Sequence, residues 1–307
     1  MAKQNQYRYI VVRRKTRLEE LVERFNTWPQ AKFYLEHNGT DTQDYIDEHD
    51  QYNKQIAEVE RCLRPRGRFQ WLERGLLPRY QFGSQDIVVV VGQDGLVANT
   101  LKYLDGQPVV AVNPDPDRWD GKLLPFEVKD LECAVKRVEE KNADAKYVTF
   151  AEANTNDGQS LLAVNDLFIG PKSHTSARYQ LKWQGEVETQ SSSGIIISTG
   201  MGSTGWFQSI LAGAMGVTGN QNHGLINGFA WDERRLQYAV REPFPSQTTG
   251  TDLTFGEVTS SNQLVVESLM PENGVVFSDG LEQDYIAFNS GCVLTITVAE
   301  RQGVLIY

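Results

Sequence analysis

Three short stretches carry side chains able to do chemistry. In the first, Gly92-Gln93-Asp94-Gly95, one carboxylate sits in a glycine turn. An aspartate there can cap the next helix or accept a proton, and N–H groups at a strand-to-helix turn can bind phosphate. The second stretch, Ser191 to Trp206, sets Ser193, Thr199, Ser203 and Thr204 among Gly194, Gly200, Gly202 and Gly205. Hydroxyls and free N–H groups at a helix start hold phosphates or ribose hydroxyls without net charge, but the same residues also cap plain strand-turn-helix corners. In the third, Asn165-Asp166 interrupts the otherwise apolar run from Leu161 to Gly170. Buried polar groups need partners, which a ligand rich in hydroxyls supplies; a bend or bulge at a sheet edge is the alternative.

The elements that must position these groups can be read from the hydrophobic pattern. Ile87 to Val91 is a run of β-branched residues, the mark of a strand buried on both faces, and Leu96 to Leu104 follows with helical spacing. Position 97 is valine where Gly-x-Gly-x-x-Gly needs its third glycine, and no lysine stands in the turn. Neither the dinucleotide fingerprint nor the Lys-Ser/Thr phosphate loop is met. Upstream, Tyr7 to Val12 reads as a strand, and Thr16 to Glu19 has capping-box spacing for a helix ending near Phe25. A second helix spans Asp41 to Leu63, and Arg68 to Leu72 is a short strand. Pro108 to Asn113 is another buried strand, leading into Pro114-Asp115-Pro116-Asp117.

This alternation implies a parallel α/β domain whose ligands lie beyond the carboxyl ends of its strands, where Gly92 to Gly95 and Asn113 to Asp117 both fall. Leu131 to Glu140 supplies one more helix. From Tyr147 onward, short strand-like runs bordered by glycine, serine and asparagine point to a β-rich, sandwich-like domain, with one helix from Ser203 to Met215. The expected division is 1–130, an α/β nucleotide-binding domain, and 131–307, a β-rich domain whose last strands can return to the first.

A chain of 307 residues carries a prior of about two domains. Its net charge of −10, with both signs interspersed, argues against nucleic-acid or anionic-membrane partners. No run approaches the roughly 18 apolar residues of a membrane span. The polar start, Met1 to Gln6, is not followed by a signal-peptide core, so the cytoplasm is the default location. Cys62, Cys133 and Cys292 lie too far apart in pattern for a disulfide scaffold or a cysteine metal site. His174 and His223 read as surface histidines, and Lys172, Arg178 and Lys182 as a solvated strand face.

Taken in this order, the three stretches resemble the motifs of the NAD kinase family: Gly-Gly-Asp-Gly, Asn-Glu/Asp and Thr-x-x-Gly-Ser-Thr-Ala-Tyr. The likeness spans about Asp86 to Asp279. It is closest to the mitochondrial-type branch, through Asn113-Pro114-Asp115-Pro116, through Trp206 in place of a tyrosine, and through the long region ahead of the key strand. Arg241-Glu242-Pro243 and Ser278-Asp279-Gly280 resemble two later landmarks and are read as fold markers.

The resemblance implies an α/β nucleotide domain followed by a β-rich domain, with the active site between them. It implies transfer of the γ-phosphoryl of ATP to the 2′-hydroxyl of the adenosine ribose of NAD, giving NADP. Asp94 would be the general base, and Gly92 and Gly95 would let phosphates approach the backbone. Asn113 would lie beside the ligand. Asn165 and Asp166 would bind the NAD sugar and base, and Ser193 stands where many members have an aspartate contacting the nucleotide. Thr199, Gly202, Ser203, Thr204 and Trp206 would line the same pocket. Mg²⁺ would neutralise ATP, since these loops hold no lysine, and the family's habit is a homodimer or larger homo-oligomer.

The sequence departs from the family beside the base. Gln93 replaces the second glycine of the turn, where a side chain restricts φ and crowds a phosphate. Leu96 stands where threonine is usual, and Gly200 where many members have proline. Two other functions therefore stay open: a related kinase acting on a sugar or lipid hydroxyl, and a nucleotide-binding module that has lost transfer. A lipid substrate would favour an exposed apolar groove, of which the sequence gives no sign. A dehydrogenase is disfavoured for want of the glycine fingerprint.

Overall fold

The computed structural model describes residues 7–219 and 224–307, the side chain of Gln283 excepted; Met1 to Gln6 and His223 lie outside them. The chain divides into two units, one running to Ala145 and taking in Val304–Tyr307, the other Lys146–Gly303.

The first unit runs β1 (Arg8–Arg13), α1 (Arg17–Phe25), α2 (Trp28–His37), α3 (Gln43–Leu63), β2 (Arg68–Glu73), β3 (Asp86–Val91), α4 (Asp94–Leu101), β4 (Pro108–Asn113), β5 (Phe126–Glu127) and α5 (Leu131–Glu139). Its sheet is parallel, in the order β4-β3-β1-β2. Along the other edge of β4, Val304 and Leu305 pair with Pro108 and Val109, and β5 pairs with Val112 and Asn113. Alternate residues point to opposite faces of a strand. Tyr9, Val11, Val89 and Val110 meet Tyr52, Ile56, Val59 and Leu63 of α3 and Leu131, Ala134 and Val135 of α5. The intervening Ile10, Val12, Val88 and Val90 are buried too, so these strands are covered on both faces. α5 belongs to this core, and the unit continues to Ala145.

α1 begins with the capping box its sequence announces. Thr16 Oγ1 accepts from Glu19 N at 3.2 Å, and Glu19 Oε2 accepts from Thr16 N at 2.8 Å. The Thr16 hydroxyl also lies 2.8 Å from His49 Nδ1, which ties α1 to α3. α2 has no counterpart in the sequence reading. Pro29 falls in its first turn, where no intrahelical N–H is needed, and only Ala31 and Leu35 are buried, too few to show a helical period.

The second unit runs β6 (Ala145–Thr155), β7 (Ser160–Ala163), β8 (Asp166–Pro171), β9 (Ala177–Trp183), β10 (Glu186–Ser192), β11 (Ile195–Ser198), α6 (Trp206–Thr218), β12 (Leu236–Val240), β13 (Phe255–Val258), β14 (Leu264–Ser268), β15 (Gly274–Ser278), β16 (Leu281–Ala287) and β17 (Val293–Ile306). One layer orders its strands β10-β9-β14-β17, with β6 beside β17 and β7 beside β6. The other is six-stranded, in the order β13-β12-β11-β8-β15-β16. A shared core, including Tyr179, Leu181, Val266 and Ile296 from the first layer and Leu167, Ile169, Ile197 and Val276 from the second, makes this a β-sandwich. The apolar run from Leu161 to Gly170 is divided between two strands, broken at Val164-Asn165. Among the described residues no helix is long and apolar enough to cross a membrane.

Thr16→Ala removes both the cap and the link to His49. It should lower the unfolding free energy by about 1 kcal/mol, read by urea denaturation, since threonine caps contribute about that much. An unchanged midpoint would show that the capping box does not hold α1.

Candidate functional site

In the first unit the chemistry gathers at the carboxyl end of β3. Asp94 is the first residue of α4 and is half-buried. Its Oδ1 accepts the Leu123 N–H at 2.8 Å, while Oδ2 makes no hydrogen bond among the described residues. Leu96 N donates to Gln93 O at 2.9 Å, whereas the N–H groups of Asp94 and Gly95 make no hydrogen bond among the described residues, so this end of the helix offers two donors to an anion. Gly92 is buried, and a Cβ there would lie 2.9 Å from Leu96 Cδ2; its N–H bonds Val112 O at 3.3 Å. Its missing side chain thus makes room for Leu96. Gly95 is exposed, with nothing within 4 Å of where a Cβ would be. Gln93 has φ −117° and ψ 165°, an extended conformation open to any residue, so it replaces a glycine without backbone strain.

Asn113 organises the loop after β4. Its Oδ1 accepts from Asp115 N at 3.0 Å and its Nδ2 donates to Trp119 O at 2.9 Å. Gly121, at φ +58°, passes so close that a Cβ would lie 2.6 Å from Asn113 Nδ2. This asparagine therefore shapes the chain that carries Leu123, with both ends of its amide engaged.

In the second unit the break at Val164-Asn165 is held from two sides. The Asp279 carboxylate accepts from Val164 N at 3.0 Å and from Asn165 N at 2.7 Å. Asp279 occupies, with Gly280, a two-residue hairpin turn in which both have positive φ, 55° and 70°. Thr199 Oγ1 donates to Val164 O at 2.5 Å, and Thr199 N donates to Asn165 O at 3.0 Å. Gly202 packs over the same carbonyl, where a Cβ would lie 2.0 Å from Asn165 O. The clamp satisfies the backbone and leaves the Asn165 side-chain amide without a hydrogen bond among the described residues.

Asp166, only 8% exposed, has no hydrogen bond to its carboxyl among the described residues. Burial, and then the nearby Asp279 charge, push its pKa up to about 7. Ser203 is buried and fully engaged: Oγ donates to Gly200 O at 2.7 Å and accepts from Phe229 N at 3.0 Å. It belongs to a short 3₁₀ turn, Gly202–Thr204, and α6 starts only at Trp206. The hydroxyls of Thr199 and Ser203 thus build the corner, whereas Thr204 is exposed.

Next to this clamp, on the outer face of β8 and β15, lies a cavity of about 390 Å³. Phe168, Val275 and Phe277 form its floor, with Trp206, Tyr285, Lys172, Arg241, Ser193 and His174 among the residues around it. Phe168 and Asp166, two apart on β8, share a face. The Trp206 ring lies parallel to Phe168, within 6° at 5.8 Å between centroids, and Arg241 Cζ is 5.5 Å from the Trp206 centroid. Lys172 Nζ is 4.6 Å from the Tyr285 centroid and makes no ion pair among the described residues. Among the described residues, Glu282 is the one acid lining the cavity. Aromatic rings with two fixed cations suit a flat ring carrying phosphate. Sequence reasoning missed this use of Lys172, His174 and Arg241. The one available signal was that a lysine and a histidine follow the apolar run of β8 within three residues of Pro171.

No family model matches the sequence, and a search of curated proteins finds no match. Solved structures do share the fold. An NAD kinase from Archaeoglobus fulgidus in complex with ATP matches with a TM-score of 0.60 and 17% identity, over 98% of this chain and 93% of that one. Yeast NADH kinase complexed with NADH matches with a TM-score of 0.59 and 12% identity, over 99% of this chain and 84% of that one. At these identities the likeness is one of fold: this chain has the fold of NAD kinases over nearly its whole length.

Asp166 gives the second unit a pH-dependent stability of known sign. An ordinary aspartate has a value of 3.8, and the fold raises Asp166 to about 7. Between those values the folded chain binds the proton more tightly than the unfolded chain. The contribution is therefore complete at low pH and is lost as pH rises through about 7. Asp166→Asn should match the wild type in thermal unfolding near pH 4 and exceed it by several degrees near pH 8. A difference that does not change with pH would mean that Asp166 ionises freely in the folded chain.

Proposed function

We propose that this chain is a kinase of the NAD kinase type, transferring the γ-phosphoryl of ATP to the 2′-hydroxyl of the adenosine ribose of NAD. The observation that carries this reading is Asp94: a half-buried carboxylate at an open helix N-terminus, one oxygen fixed by Leu123 N and the other unclaimed. In the proposed reaction Asp94 Oδ2 takes the proton of the 2′-hydroxyl as that oxygen bonds to phosphorus and ADP departs. The Asp94 and Gly95 N–H groups of α4, with open space at Gly95, receive phosphate oxygens. Asn165 and Asp166 offer an amide and a carboxyl to the acceptor's hydroxyls and base. Trp206, Phe168, Lys172 and Arg241 provide a ring-stacking, anion-tolerant surface, and Ser193 adds a hydroxyl. The Asn113-Pro114-Asp115-Pro116 loop and Trp206 support the mitochondrial-type branch.

Among the described residues no group of three histidine, cysteine, aspartate or glutamate side chains could hold a metal ion. In this reading Mg²⁺ enters on the phosphates of ATP and neutralises their charge, as this ion commonly does.

Incubation with ATP, Mg²⁺ and NAD should give NADP. Asp94→Asn should lower kcat by about 10²- to 10⁴-fold while NAD binding, read by calorimetry, persists. NAD binding without product in the wild type would favour a silent binding module, and ADP release with another alcohol but not NAD would favour a different kinase. Trp206→Ala and Lys172→Ala should each raise the KM for NAD by roughly tenfold, the loss of one aromatic or charged contact. Unchanged KM values in both would take the acceptor out of the β8–β15 cavity.

A further inference from the structure

Asp94 is aimed by a loop, and that loop is held from outside the sheet. Leu123, whose N–H fixes Asp94 Oδ1, ends a segment pinned at Arg118. The Arg118 guanidinium reaches Asp44 at the start of α3 at 2.6 Å and Asp115 of its own loop at 3.2 Å. Asp44 also pairs with Arg17 at 2.7 Å, Arg17 lies 3.6 Å from Glu48, and Glu48 pairs with Arg14 at 2.6 Å. Arg14 in turn lies over the Trp119 ring, 5.4 Å from its centroid. Three arginines meet three carboxylates, so the network has no charge left over to attract a phosphate. What it does is join β1, α1 and α3 to the loop that carries the Leu123 N–H.

We propose that Arg118 is a positioning residue for Asp94, acting through the Asn113 to Leu124 loop, and that α1 and α3 brace that loop. The proposal rests on the reading of Asp94 as the general base. Reactivity falls steeply when a proton acceptor is misplaced by an ångström. One backbone N–H holds Asp94, so the fixity of its carboxylate is that of residue 123. Arg118 and Asp44 are part-exposed, 29% and 42%, and an ion pair of that kind adds little to global stability. Its loss should free the loop without unfolding the chain.

The test compares Arg118→Ala, Arg118→Lys and, as a control on α3, Arg61→Ala, whose partner Glu58 lies three residues away on the same helix. Amide hydrogen exchange of Leu123 by NMR should quicken on the order of tenfold in Arg118→Ala, recover partly in Arg118→Lys, and stay unchanged in Arg61→Ala. With ATP and NAD, kcat should fall about tenfold in Arg118→Ala while both KM values stay within about twofold, and the lysine should restore part of kcat. Unchanged Leu123 protection in Arg118→Ala, or an equal change in Arg61→Ala, overturns the proposal. The exchange measurement needs no turnover: quickened exchange in a chain that makes no NADP would keep the brace and discard the kinase reading.

Discussion

The first unit is governed by the coverage of its parallel strands on both faces. β1, β3 and β4 are buried above and below, so a charged or hydrogen-bonding side chain can stand only at their ends. The two ends treat the same residue type differently. At the amino end of β3, Asp86 is 3% exposed and fully matched: Arg8 approaches both its oxygens, at 2.7 and 2.6 Å, and Gly83 N donates at 2.7 Å. A carboxylate so satisfied is a structural tie. Beyond the other end, Asp94 receives one backbone N–H and no cation among the described residues. The first aspartate has nothing left to offer a ligand, whereas the second has an oxygen to spare.

The second unit solves a different problem, that of presenting polar side chains from the middle of a sandwich. Interrupting a strand leaves backbone groups that must be paired. Asp279 and Thr199 pair them, and Gly202 lets the next turn lie directly on the Asn165 carbonyl. Gly200 does the same against Ala230 O, where a Cβ would come within 2.0 Å. A proline or any other side chain at residue 200 would demand a different path for 230–231, so the departure from the family pattern there is a packing choice of this chain. The glycines and hydroxyls of the corner serve the fold first, and their effect is to free Asn165 and Asp166 from structural duty.

This division of labour explains what the sequence could and could not reveal. Period and composition were enough for β3, β4, α3 and the capping box of α1, because in each the burial pattern is also the sequence pattern. They were not enough for α2, which buries only two side chains, or for β10, Glu186–Ser192, whose polar residues occupy an outer strand. The site stretches were legible as polar and glycine-rich interruptions. Which of their groups are engaged within the fold was not, because that depends on contacts such as Ser203 to Phe229 and Asn113 to Trp119 that no local rule specifies. Arg241 had been a fold marker only; its place over Trp206 comes from the pairing of β11 with β12.

The acidic balance of the chain, −10 overall, does not work against an anionic ligand. Exposed charges are screened beyond roughly 8 Å at physiological ionic strength, so a bound phosphate responds to its immediate neighbours. In the β8–β15 cavity those neighbours include Lys172, which makes no ion pair among the described residues, and Arg241, whose acid contact among them is Glu242 at 3.7 Å. Around the Gly92 turn the nearest arginine is committed elsewhere: Arg14 pairs with Glu48, itself 3% exposed, at 2.6 Å. The two places therefore offer anions different things, free side-chain cations in one and backbone N–H groups in the other. In the proposed reaction that asymmetry suits an acceptor that must be held in place through binding and a γ-phosphoryl that must leave its donor. With backbone N–H groups and no side-chain cation beside Asp94, neutralising the transferring group falls in that reaction to the Mg²⁺ that arrives with ATP.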